Sequence, residues 1–386
     1  MSVEHDGAPP APPQPPVPGP PPPSRPVRRR RLVAAAGAVV VLAGGGAAVF
    51  ALTSGDDGGA GGKGPGRKAA PAAPAWAREA GRQIAALPGV RYDGTITENG
   101  RALRLALRVT RAGSASGTLT AGGLRADLVT VDGITYLKAG EPFWRTYGGE
   151  TAQPGNYSGR WTKAPASLPG IDVRDVLGPA AIAKLLLRSP AETDTAGGVP
   201  AYRVKTSRAD YLVSRTAPYR LLGVQTAGHG DPRFTVADVA DAAPVLAEAR
   251  TRAAALGGAV DPALRFSVGK LTFINCNENT NGCTVSVPAT LTVPEGDVPS
   301  GARASLRGSL TSGARALGSC TASAPVPANR SMVLRCTVVG RKWRTWMQQA
   351  LDSPGEHPYS GSARVVGEAV GRSEVPALLA RLDKER

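Results

Sequence analysis

The sequence predicts an α+β protein: a curved antiparallel β half-barrel covered by helices, followed by a smaller disulfide-bonded, mostly-β, sandwich-like C-terminal domain. An N-terminal disordered tail and one transmembrane helix are expected ahead of both. Three observations carry this reading. Residues Arg101–Thr110 alternate strictly, with Leu103, Leu105, Leu107 and Val109 on one side and Arg104, Ala106 and Arg108 on the other, the period of two of a strand with one wet face. Turn pairs at Asn99-Gly100, Gly122-Gly123 and Asp132-Gly133 are the short kind that join antiparallel neighbours. All 4 cysteines fall in the last third of the chain.

The elements follow in chain order. Residues 1–31 hold the Pro-rich run Pro9–Pro26 and the cluster Arg28–Arg31. Proline lacks an N–H and fixes φ, so a disordered or polyproline II tail is expected on the cytoplasmic side. Residues 32–52 are uncharged. At about 1.5 Å per residue they span about 31 Å, the thickness of a bilayer core. Arginines before the run and Asp56-Asp57 after it place the N-terminus inside and the rest of the chain outside the cell membrane, single-pass. Residues 53–75 read as a Gly/Ala/Pro linker.

Residues 76–257 read as the half-barrel domain. A helix is expected over Trp76–Leu87, stopped by Pro88-Gly89, then a succession of strands broken by one helix, Asp175–Leu187, and closed by a helix at Ala243–Leu256. Residues 258–386 read as the β-rich domain, with strands at Leu264–Asn275, Thr284–Val293, Ala302–Leu310, Met332–Val339 and Ser362–Val370. A short helix is expected at Trp343–Leu351, and Ser373 is expected to cap a last one carrying Leu378, Leu379 and Leu382.

Four cysteines confined to one extracytoplasmic domain read as two disulfides. Three pairings are open. The short-range one, Cys276–Cys283 with Cys320–Cys336, is preferred because its first bridge would clamp the Asn277–Gly282 hairpin. Zinc is disfavoured: the spacings lack short C-x-x-C pairs and no His lies near. Neither a metal nor another cofactor is expected.

Of the 3 histidines, His5 is in the tail, and His229 and His357 sit in Gly/Pro-rich loops. No phosphate loop, dinucleotide fingerprint, serine elbow or metal-spaced cluster is present, so a binding protein is expected rather than an enzyme. The formal net charge is +16, from 46 basic and 30 acidic side chains. It reads as a charged membrane flank plus arginines on solvated strand faces, the other reading being a preference for anionic headgroups or cell-wall polymers. The scatter of the basic residues, the compartment and the lack of a recognition motif argue against nucleic acid.

A run of motifs in order gives the first domain a family likeness: Tyr92-Asp93-Gly94-Thr95, Gly117-Thr118-Leu119, Val131–Lys138, Phe143-Trp144, Gly159–Lys163 and Pro218–Leu221. With these it resembles the LolA/LppX/LprG-like half-barrel carriers of envelope lipids. That resemblance implies acyl chains held between sheet and helices, hence a lipid or lipoglycan ligand, with similar half-barrels serving as ligand-sensing parts of envelope stress regulators; the Pro-rich tail adds a possible cytoplasmic protein partner beside an envelope one. The candidate pocket residues are then Leu103, Leu105, Leu107, Val109, Leu119, Leu128, Ile134, Tyr136, Leu186 and Val204. Periodicity alone reads the same side chains as a filled core. The chain departs from the family in its helical anchor and in its second domain. An envelope sensor or scaffold working through protein contacts is the rival to lipid binding.

Overall fold

The computed structural model describes residues 73–98, 100–149, 153–165, 168, 170–226 and 233–385. The expected tail, transmembrane helix, nearly all of the linker, His5, His229 and the turn residue Asn99 lie outside the described residues. Among those described, no helix is long and apolar enough to cross a membrane.

The first lobe runs α1 (Ala75–Ala86), β1 (Gly89–Glu98), β2 (Arg101–Thr110), β3 (Ala115–Ala121), β4 (Leu124–Val131), β5 (Ile134–Ala139), α2 (Glu141–Tyr147), α3 (Pro154–Tyr157) and β6 (Trp161–Lys163). It continues through a π-helical turn (Val173–Leu177), α4 (Pro179–Leu186), β7 (Ala191–Ala196), β8 (Val199–Lys205), β9 (Ala209–Ser214), β10 (Leu221–Thr226), β11 (Arg233–Val239) and α5 (Ala243–Ala254). The second lobe comprises β12 (Ala259–Asp261), β13 (Arg265–Val268), β14 (Thr272–Ile274), β15 (Cys283–Val293), β16 (Arg303–Ser312), β17 (Arg315–Pro325), β18 (Ser331–Val338), α6 (Arg341–Asp352), β19 (Ser360–Val370) and α7 (Val375–Asp383). The protein is α+β and mostly β, as the sequence predicts.

The two lobes share one 15-stranded sheet, in the order β17-β16-β19-β12-β6-β5-β4-β3-β2-β1-β11-β10-β9-β8-β7. Neighbours are antiparallel except at the seam, where β12 meets β6 in parallel through Val260 and Thr162. Helices α5 and α7 lie over that seam. Val129, Tyr136, Trp161, Ala253, Val370 and Leu382 form one apolar cluster there. Arg252 of α5 donates to the carbonyls of Gly117 and Leu128, both at 2.6 Å. Glu385, just past α7, accepts from Thr110 and Ser114 at the β2–β3 turn. All described residues accordingly belong to one compact unit, Ala69–Arg386.

In the second lobe, β13, β14, β15 and β18 form a separate 4-stranded sheet that faces β16, β17 and β19 of the large sheet across a common core of Val285, Val287, Leu306, Leu310, Leu334 and Trp343. Both expected disulfides are present: Cys276–Cys283 joins the end of β14 to β15, and Cys320–Cys336 joins β17 to β18. The second therefore staples the two sheets of the sandwich. Gly308 makes room for it: a Cβ there would lie 3.2 Å from the Cys320 sulfur and 3.4 Å from that of Cys336.

Several elements differ from expectation for identifiable reasons. The predicted helix Asp175–Leu187 is two pieces, because Gly178 brings its chain against the Arg174 carbonyl (2.4 Å from a Cβ) and Pro179 has no N–H to continue the ladder. The predicted strand Leu264–Asn275 breaks between β13 and β14. Ser373 caps nothing; Glu374 instead accepts from the Gly371 N–H at 2.6 Å. Strands β6, β7 and β17 carry little apolar alternation and were not signalled.

Removing the inter-sheet bridge by Cys336→Ala should destabilise the protein by about 3 kcal/mol in urea titrations, as expected for a loop of this length. Gly308→Val should destabilise it too, by forcing a side chain against the bridge.

Candidate functional site

The apolar sheet face of the first lobe is covered by helices. Leu103, Leu105, Leu107, Val109, Leu119, Leu128, Leu186 and Val204 are each no more than 1% exposed. They pack in one cluster with Ile84 of α1, Phe143 and Trp144 of α2, Val176 and Leu177 of the π turn, and Ile182 of α4. Two buried phenols hold the cover down: Tyr92 donates to the Leu177 carbonyl at 2.7 Å and Tyr211 to that of Val176 at 3.0 Å. The helices meet closely because α1 carries Gly81, where a Cβ would lie 3.3 Å from the Ala183 carbonyl.

Two of the ten candidate residues are not on this face. Tyr136 packs on the opposite side of the sheet under α5 and α7, and Ile134, two residues before it, is 40% exposed. A one-residue shift along a strand changes faces. The inward residue is Leu137, which pairs with Leu128 and is fully buried. The remaining eight share one core.

A second feature lies outside the candidate list. At the seam the two lobes form a cleft of about 580 Å³ lined by Lys138, Arg160, Arg303, Arg307 and Arg372, with Glu368 the one carboxylate. Its floor follows from strand alternation. Leu306 and Ala304 of β16 point into the sandwich core, so Arg303, Ser305 and Arg307 point the other way. Glu368 stands opposite Arg303 in the β16–β19 register and accepts from its Nε at 3.1 Å and from the Ser323 hydroxyl. Arg160, on the turn before β6, donates to the Gly258 carbonyl at 3.2 Å. Burial and the neighbouring Arg307 both lower its pKa, with Glu368 opposing. Arg372 donates to Thr321 at 3.3 Å. Among the described residues, no group of acidic, His or Cys side chains could hold a metal ion.

A third opening, a shallow groove of about 950 Å³, runs on the outside between α1 and α4. Trp76, Ala180, Ala183, Leu187 and Tyr219 line it.

No family model and no curated protein matches the chain. Among solved structures it is similar to the MucA/MucB complex of Pseudomonas aeruginosa at 14% identity, covering 70% of this chain and 93% of that one, with a TM-score of 0.22. A crystal structure of MucB in complex with MucA(peri) matches with the same figures. Likeness at that TM-score transfers neither fold nor function.

The seam cleft was missed because its cations come from distant segments. One signal was present: Arg303 and Arg307 sit four apart in a strand and so share a face.

The buried phenols give a pH signature. Burial is the main cause raising the pKa of Tyr92, Tyr136 and Tyr211 above 10.0, to about 12 for Tyr136. The fold favours the protonated phenol, so this stability is intact below pH 10 and is lost as pH rises from there through about 12. Alkaline unfolding followed by tyrosinate absorbance should show it. Tyr92→Phe should remove part of that dependence and cost about 1–3 kcal/mol at neutral pH, because the buried Leu177 carbonyl loses its donor.

Proposed function

We propose that this chain is an envelope sensor or scaffold that works through contacts at the surface of its extracytoplasmic part, rather than a carrier holding acyl chains inside the half-barrel. The observation that carries the reading is the cover over the sheet. The strand face that a carrier would line with ligand is packed by side chains of α1, α2, the π turn and α4, with Tyr92 and Tyr211 bonded across the gap. Making room for an acyl chain there means separating a close-packed core, which costs both contacts and hydrogen bonds. Two disulfides fit an oxidising compartment. The one-unit build of the two lobes supplies a rigid platform, and the Pro-rich tail would be the cytoplasmic output.

A lipid-binding reading keeps one specific support, the apolar groove between α1 and α4. It is open to solvent, and Leu187 at its rim is 43% exposed. A single acyl chain could lie there without disturbing the core.

Lipid extraction of the full chain purified from its membrane separates these. The scaffold reading expects no stoichiometric diacyl lipid, unfolding of Leu105→Arg because that site is core, and loss of the phenotype when residues 1–26 are deleted while envelope localisation persists. Stoichiometric lipid that is lost in a normally folded Leu187→Asp variant would move the function to the groove. Lipid bound together with a folded Leu105→Arg protein would restore the interior pocket and overturn the proposal.

A further inference from the structure

We infer that the seam cleft is a binding site for phosphoryl groups, supplied either by a soluble phosphate ester or polymer or by a phospholipid headgroup. The inference does not depend on the scaffold reading, because it concerns a different surface and a different chemistry.

Charge is the first argument. Five cationic side chains converge from four separate stretches of chain: Lys138 on β5, Arg160 before β6, Arg303 and Arg307 on β16, and Arg372 before α7. Against them the lining offers one carboxylate, a formal surplus of four. Glu368 is also already engaged, with a side chain only 3% exposed and bonded to Arg303 and Ser323. Glu374, beside the cleft at the start of α7, is engaged as the acceptor of the Gly371 N–H. Counting it still leaves a surplus of three.

Register is the second argument. Arg307 stands directly opposite Arg364 in the β16–β19 ladder. Like charges directly opposite on neighbouring strands destabilise a sheet. Arg364 relieves part of this by donating to the Gly155 carbonyl at 2.8 Å, away from the cleft. Arg160 is half-buried, and Arg307, itself exposed, is near enough to lower its pKa, so the two guanidiniums oppose each other's charge. An anion bound between them reverses the sign of that interaction, so the field that costs stability in the free protein favours the ligand.

Shape decides between anions. A carboxylate offers two coplanar oxygens and suits one guanidinium fork. Here the donors come from both lobes, and Ser305, Thr321 and Ser373 line the same space. Donors spread around a space match a tetrahedral group with three charged oxygens, which also carries more than one negative charge when it is a monoester or diphosphate.

The test is calorimetric titration of the full chain with inorganic pyrophosphate, with oligoglutamate, and with vesicles of phosphatidylcholine alone or mixed with phosphatidic acid. Pyrophosphate should bind, and Arg307→Glu should weaken it about tenfold or more, the scale of one lost charge-assisted hydrogen bond. Arg335→Glu, the same charge change on the distant strand β18, should alter it less than about twofold. If Arg307→Glu fails to fold, Arg307→Gln with an unchanged melting temperature serves, and should also weaken binding. Tighter binding to phosphatidic-acid vesicles than to phosphatidylcholine, abolished by Arg307→Glu and competed by pyrophosphate, identifies the source as a headgroup. Pyrophosphate binding without that vesicle preference identifies a soluble ester. Three results would overturn the inference: no phosphoryl probe binding, equal loss in Arg335→Glu, or oligoglutamate binding as tightly as pyrophosphate.

Discussion

A strand face made of leucine and valine cannot be left in water, and everything else in the first lobe follows from how that face is covered. Burying one such side chain is worth roughly 1.5–3 kcal/mol. Leu103, Leu105, Leu107 and Val109 of β2, with Leu119, Leu128 and Leu137 on the next strands, make that demand continuous across the sheet. Proteins with this need have two solutions, a bound apolar ligand or their own side chains. The second is the one built here. The covering helices are short, and none would be stable alone. They are held by packing, by the close approach at Gly81, and by the phenols of Tyr92 and Tyr211, which also satisfy carbonyls that the π turn leaves exposed.

The seam carries the second constraint. One parallel pairing between β6 and β12 would be a weak joint by itself. It is reinforced on one side by α5 and α7 over Tyr136 and Trp161, and by the ion pair of Lys163 with Asp261 at 3.1 Å. The joint brings the polar face of β16 to the first lobe, and this gathers Arg303 and Arg307 with Arg160 and Lys138. The basic character of the chain, scattered in sequence, thereby becomes local in space. A rigid joint and a charged cleft are two consequences of the same strand pairing.

Much of the fold was legible in the sequence and the site was less so. Alternation over Arg101–Thr110 placed β2 to the residue, and an even cysteine count at short spacings led to both bridges. Local chemistry sufficed in those cases. The inward face of β5 was misread because Ile134, Tyr136 and Leu137 put apolar side chains on both faces of the strand, and the burial of Tyr136 comes from α5 and α7, which are distant in sequence. Strand β7 is nearly all polar, since it lies at the open edge of the sheet, and so it left no periodic signal. The seam cleft depends on which strands are neighbours, and that information does not reside in any one segment. Periodicity alone reads the apolar face as core, and α1, α2, the π turn and α4 pack against it.

That the apolar sheet face of the first lobe is filled by the protein's own side chains is tested most directly by amide hydrogen exchange on the full chain, with and without phospholipid vesicles. The amides of β2 and β4 should be among the slowest in the protein, and lipid should leave their rates unchanged, because nothing enters between sheet and helices. Lipid-dependent protection of β2, β4 and the π turn together would show that the cover opens to admit a ligand, and would contradict this filling.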